Sequence, residues 1–112
     1  MLTEAEVEAI KPVRYERKFS DGRGLYLLVT PKGARHWRFA YRYARKYKTL
    51  ALGTYPVVTL ERARSSHEFA RNLLANGVDP AALKAEVGKH AFGVMMREWE
   101  KARGDISAPM RS

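Results

Sequence analysis

Residues 20–56 read SDGRGLYLLVTPKGARHWRFAYRYARKYKTLALGTYP; after Asp21 this stretch has no acidic side chain and eight basic ones, Arg23, Lys32, Arg35, Arg38, Arg42, Arg45, Lys46 and Lys48. The charges are interleaved with aromatic and aliphatic residues of high β-propensity, which predicts cations fixed on a sheet instead of spread along a solvated tail. Successive strand side chains point to opposite faces. Along 37–43, Trp37, Phe39, Tyr41 and Tyr43 fall on one face and Arg38, Ala40 and Arg42 on the other. Residues 24–30 send Leu25, Leu27 and Val29 inward and Tyr26, Leu28 and Thr30 outward. Residues 47–53 send Leu50 and Leu52 inward and Tyr47, Thr49 and Ala51 outward. Three strands thus share an outer surface of Tyr26, Arg38, Arg42, Tyr47 and Thr49, opposite a ring-rich core.

The connections fit an antiparallel meander. Pro31 and Gly33 place a turn at Thr30–Ala34, and a second turn falls around Ala44-Arg45-Lys46, which lacks both Gly and Pro. Upstream, Tyr15, Arg17 and Phe19 alternate with Arg14, Glu16 and Lys18, predicting a short extra strand before the turn at Ser20. Thr3 and Glu6 form a capping-box pair for a helix over 4–10, ended by Lys11-Pro12. Residues 54–58 are expected to be extended, with Pro56 barred from a central ladder position.

Thr59 offers the cap of the longest helix. Its stripe of Leu60, Ala63, Ser66 or His67, Ala70, and Leu73 or Leu74 would cover the inner face of the sheet. Gly77 suits the closing left-handed position, with Val78 folding back, and Asp79-Pro80 opens a further helix. Leu83 and Val87 give that helix a thin apolar face, Gly88 weakens it, and residues 84–90 are the expected linker. From His90 onward Phe92, Met95, Met96 and Trp99 recur at helical spacing until Gly104 and Pro109. The expected fold is α+β: a three- to four-stranded antiparallel sheet backed by one long helix, with a short amino-terminal helix and a helical carboxy-terminal tail. The division falls at 1–83 and 84–112.

A chain of 112 residues, 46% hydrophobic, suits one compact domain. A net charge of +9 favours a polyanionic partner. There is no cysteine, which excludes disulfides and thiolate zinc sites. No apolar run approaches the ~20 residues of a membrane span, and the first residues lack a basic, then apolar, leader pattern. The expected setting is soluble and cytoplasmic, without membrane. His36, His67 and His90 have no metal-ligand spacing, and Gly22-Arg23-Gly24 precedes a strand instead of a helix, so neither a metal nor a nucleotide cofactor is expected.

In order along the chain, Ser20-Asp21-Gly22-x-Gly24-Leu25-Tyr26-Leu27, Trp37-Arg38-Phe39-x-Tyr41-Arg42, Leu50-x-Leu52-Gly53-x-Tyr55-Pro56 and Gly77-x-Asp79-Pro80 resemble the amino-terminal arm-type DNA-binding domain of phage and genomic-island integrases of the tyrosine recombinase family. The resemblance covers residues 1–83. Arg23 stands where that motif often has a glycine. It implies duplex DNA, at arm-type attachment sites, as the partner. It also implies a non-catalytic targeting domain for site-specific recombination, because the family's tyrosine nucleophile and its supporting residues belong to a separate domain. Arg38 and Arg42 are then expected to read bases, beside Tyr26, Tyr47 and Thr49, while Lys32, Arg35, Arg45, Lys46 and Lys48 hold phosphates.

Composition alone also allows a structured-RNA binder or a non-catalytic interaction scaffold. The inward rings weigh against the stacking surface an RNA reader displays. By the resemblance, residues 91–102 begin a core-binding helical domain. Phe92, Met95, Met96 and Trp99 are therefore expected to self-associate with a neighbouring chain in preference to their own domain.

Overall fold

The computed structural model describes residues 1–11 and 14–106, with side chains as far as Ala102. Its elements in order are α1 (Glu4–Ala9), β1 (Arg17–Gly22), β2 (Leu25–Val29), β3 (Arg35–Tyr43), β4 (Lys46–Thr54), α2 (Leu60–Ala75), α3 (Pro80–Val87) and α4 (Lys89–Ile106). The chain divides into two compact units, Met1–His67 and Glu68–Ser112, with α2 contributing to both.

In the first unit the strands form one antiparallel sheet in the order β1-β2-β3-β4. The expected extra strand is β1, and it runs on through Asp21 and Gly22. A bulge between Ser20 and Gly22 lets the ladder continue into a two-residue turn at Arg23-Gly24. Gly24 has φ 90, and a Cβ there would run into the carbonyl oxygen of Ala40. The β2–β3 loop is closed by the Gly33 amide on the Thr30 carbonyl, 2.9 Å. The β3–β4 turn is Ala44-Arg45, with both residues at positive φ; that matches the twist of the strands it joins but usually draws Asn or Gly.

The inner face carries the core. Val7, Leu25, Leu27, Val29, Trp37, Leu60 and Ala63 form one buried cluster, with Leu2, Ile10, Phe19, Leu52, Tyr55 and Val58 packed against it. The sheet is therefore covered by α1 together with the first turns of α2. Trp37 is fully buried, and its indole N–H donates to the Val58 carbonyl at 2.7 Å, so its burial leaves no polar atom unpaired. Leu28 alternates onto the opposite face yet is also buried.

Thr3 and Glu6 make the expected reciprocal capping box, and α1 ends at Ala9 with Ile10 already extended. Pro12, expected to end it, lies outside the described residues. Asp21 ties the amino terminus to α2. Its carboxylate accepts from Arg64 Nε at 2.8 Å, Arg64 Nη2 at 2.8 Å and the Leu2 amide at 2.7 Å, and Arg64 Nη2 also donates to the Leu2 carbonyl at 2.6 Å. Residues 54–58, expected to be extended, instead turn: the Val58 amide reaches the Thr54 carbonyl at 2.7 Å. Pro56 supplies no ladder donor, and a Val58 methyl occupies the space where a Cβ on Gly53 would stand.

The second unit is helical. Gly77 and Val78 donate to the carbonyls of Leu74 and Leu73 at 3.0 and 2.9 Å, the expected Schellman closure of α2. Asp79 caps α3 through the Ala81 amide at 3.1 Å, with Pro80 at its first position. Residues 84–90, expected as a linker, are helical except at Gly88, whose φ of 92 separates α3 from α4. At 18 residues α4, not α2 at 16, is the longest helix. It runs through Gly104, since one glycine costs only about 1 kcal/mol against alanine; Pro109 lies outside the described residues.

Phe69 gathers this unit's rings, with Phe92 edge-on at 5.4 Å between centroids and Trp99 tilted at 5.6 Å. Phe92 is buried, so two of the four residues expected to need a neighbouring chain already have an intrachain partner. The sequence pattern missed Phe69 because it sits off the stripe read for α2.

Candidate nucleic-acid interface

The ladder sorts the basic residues between the two faces. Directly paired residues share a face, and the pairs Tyr26↔Arg38, Arg38↔Ala51, Ala40↔Thr49 and Arg42↔Tyr47 join one surface. Tyr26, Arg38, Arg42, Tyr47 and Thr49 therefore lie together on the side of the sheet away from the core. The bulge between Trp37 and Arg38 preserves this arrangement: Leu52 becomes the extra residue and packs against the core while Ala51 stays outside.

Two cations on this face rest on rings. Arg42 lies over Tyr47, 5.4 Å from the ring centre, and Lys18 Nζ over Tyr26 at 5.1 Å. Such contacts are worth about 0.5–1 kcal/mol when exposed, and they hold the long side chains against the sheet. Lys18 was not part of the sequence-derived surface. Only the β1 register, Lys18↔Leu28 and Ser20↔Tyr26, brings it beside Tyr26; its alternation with Phe19 was the available signal. His36 pairs with Leu28 on the same face. Among the described strand residues the one carboxylate is Asp21, and it is turned to Arg64.

Burial by itself would raise the Asp21 carboxyl. The hydrogen bonds from Arg64 and the Leu2 amide, with the nearby positive charge, outweigh burial and hold it below the usual aspartate value of 3.8.

The turn cations are distributed differently. β3 and β4 continue past the last β2 rung, Leu25↔Phe39, so that 41–43 and 46–48 pair as a projecting two-stranded ribbon with Arg45 at its tip. Tyr41↔Lys48 and Tyr43↔Lys46 put both lysines on the ring-bearing side of that ribbon, opposite Arg42. Lys32 is exposed in the β2–β3 loop at the other end of the sheet. Arg35 pairs with Val29 on the core side, donates to the Val7 carbonyl at 3.2 Å and lies over the Tyr55 ring at 4.8 Å. It straps α1 to the sheet and is not grouped with the other turn cations.

Among the described residues no cluster of three His, Cys, Asp or Glu side chains could hold a metal ion, and no helix is long and apolar enough to cross a membrane.

A twisted sheet with one face packed on helices and the other presenting cations beside rings defines a class of basic, sheet-surfaced binding domains. Residues 2–87 match the family model described as the Arm DNA-binding domain, and the chain belongs to that family. It is 37% identical to the integrase of Enterobacteria phage P4 over 99% of this chain and 27% of that protein. To the prophage integrase IntS of Escherichia coli (strain K12) it is 38% identical over 95% of this chain and 28% of that protein. The putative protein IntB of the same strain shares 55% identity over 54% of this chain. The chain thus spans about a quarter of the length of the first two.

Proposed function

We propose that this domain binds duplex DNA by placing the outer face of the sheet and the β3–β4 ribbon in the major groove, as the targeting part of an integrase in site-specific recombination. The observation that carries this reading is the outer face of β2, β3 and β4, whose strand residues include no carboxylate and where Arg38 lies mid-sheet beside Tyr26 and Arg42 is braced on Tyr47. The major groove admits a two-stranded β-ribbon, and an arginine can pair there with both O6 and N7 of guanine. Arg38 and Arg42 contact base edges. Lys18, Lys32 and Arg45 grip phosphates, while Lys46 and Lys48, on the ribbon's other side, reach phosphates across the groove. The names of the relatives, integrase and prophage integrase, support the recombination setting.

Selection of bound duplexes from a random pool tests the reading. A short, directly repeated consensus is expected, as for arm-type attachment sites; an unenriched pool contradicts sequence-specific targeting. In competition, duplex DNA should displace single-stranded RNA. The reverse order would make the exposed Tyr47 ring a stacking platform for unpaired bases.

A further inference from the structure

Among the described residues, the non-glycine positions with positive φ are Arg23 (φ 53), Ala44 (φ 50) and Arg45 (φ 66). Arg23 lies in the β1–β2 turn and the other two in the β3–β4 turn. In an antiparallel meander those two turns fall at the same end of the sheet, opposite the β2–β3 loop. The left-handed region is disfavoured for any residue with a Cβ and costs glycine nothing sterically. Both turns are thus built with arginine where glycine would relax the backbone.

The strained conformation at Arg23 is held in place by the fold. Its carbonyl receives a hydrogen bond from Nε2 of the buried His67, 2.9 Å away; a carbonyl can only accept, so that nitrogen carries the proton. The His67 ring is in turn set edge-on to Phe39 at 4.8 Å. Arg23 and Arg45 are both exposed. Neither side chain is needed to make its turn, and in each case the backbone strain accompanies a guanidinium presented to solvent. Such strain is costly and concentrates at functional sites; at Ala44 it comes with only a methyl group, whereas at Arg23 and Arg45 it comes with an exposed cation.

We propose that Arg23 and Arg45 together form a phosphate-gripping end of the sheet, with Arg23 an additional DNA contact beyond the outer face. This rests on the duplex-DNA reading above. The β1–β2 tip stands beside the Ser20–Tyr26–Arg38 row and the β3–β4 tip projects beyond it, so the two arginine-bearing turns are staggered along the sheet's end. A point cation there meets the backbone of a duplex whose groove the sheet enters, and it adds affinity without sequence preference.

The test is Arg23→Gly and Arg45→Gly, each measured for thermal midpoint and for duplex affinity over a salt series. Each variant should keep or raise the wild-type midpoint, lose about tenfold in affinity at low salt, and flatten the log–log salt slope by roughly 0.9, one phosphate contact. Arg23→Asn, whose side chain also tolerates the left-handed region, should show the same loss, and Arg23→Lys should keep the wild-type slope. Glycine variants with wild-type affinity and slope, alongside an Arg38→Ala variant that has lost affinity, overturn this inference alone. If Arg38→Ala and Arg42→Ala also bind like wild type, the sheet-face reading fails and this inference with it.

Discussion

The Arg42 guanidinium lies 5.4 Å from the centre of the Tyr47 ring, its direct partner across the β3–β4 ladder. Tyr47 is 85% exposed, so the ring contributes little to the core and mainly braces the cation. Tyr47→Ala should therefore change stability by no more than about 0.5 kcal/mol while weakening duplex binding by about 0.5–1 kcal/mol. Thermal melts and duplex titrations check the two halves separately; a large loss of stability would mean the ring is structural.

Asp21 and Arg64 form a different kind of pair, since the carboxylate side chain is 3% exposed and the guanidinium 36%. Arg64→Ala leaves Asp21 buried with one amide donor, and a loss of about 2–3 kcal/mol is expected, below the full cost of breaking a buried pair because Arg64 is partly solvated. The Asp21 pKa is lowered in the fold. Its stabilisation is therefore complete above the unfolded value near 3.8 and is lost as pH falls through the lower folded value. Denaturant midpoints taken from pH 5 downward should decline in the wild type and decline less in Asp21→Asn.

That ion pair also marks where the sequence stops being legible. Strands β2 to β4 and the face carrying Arg38, Arg42, Tyr26, Tyr47 and Thr49 follow from alternation, because a period of two admits only one buried set. Asp21 reads locally as a turn residue, and nothing nearby in sequence reveals a partner 43 positions away. Arg35 looks equivalent to Arg38 until the Val29↔Arg35 rung turns it toward Val7. Lys46 and Lys48 were separated from Arg42 by the same kind of pairing information. Lys18 joined the surface only through the β1 register, and Phe69 was invisible as the partner of Phe92 because their contact depends on how α2 and α4 meet.

The Phe69, Phe92 and Trp99 cluster makes its own prediction. Phe92→Ala removes a ring 8% exposed and should destabilise the helical unit by about 3 kcal/mol, with sedimentation unchanged at concentrations where the variant remains folded. A variant of near wild-type stability with reduced self-association would instead assign Phe92 to a contact between chains.

Gly24 should be intolerant of change. Gly24→Ala places a methyl against the Ala40 carbonyl oxygen at a φ of 90, adding overpacking to left-handed strain, and a loss of about 2–4 kcal/mol is expected. Chemical denaturation checks it; a neutral outcome would mean that the β1–β2 turn adopts another conformation.

The most direct measurement is a duplex titration of wild type and the Arg38→Ala, Arg42→Ala double variant across a range of salt. With ~4 to 6 phosphates neutralised, the wild type should lose affinity with a log–log slope of roughly −4 to −5. The double variant should fold normally, keep most of that slope and lose about 2–6 kcal/mol of preference for its selected site, since each arginine pairing with guanine is worth about 1–3 kcal/mol. A double variant with undiminished site preference, or a wild-type slope near zero, would contradict the outer sheet face as the DNA-reading surface.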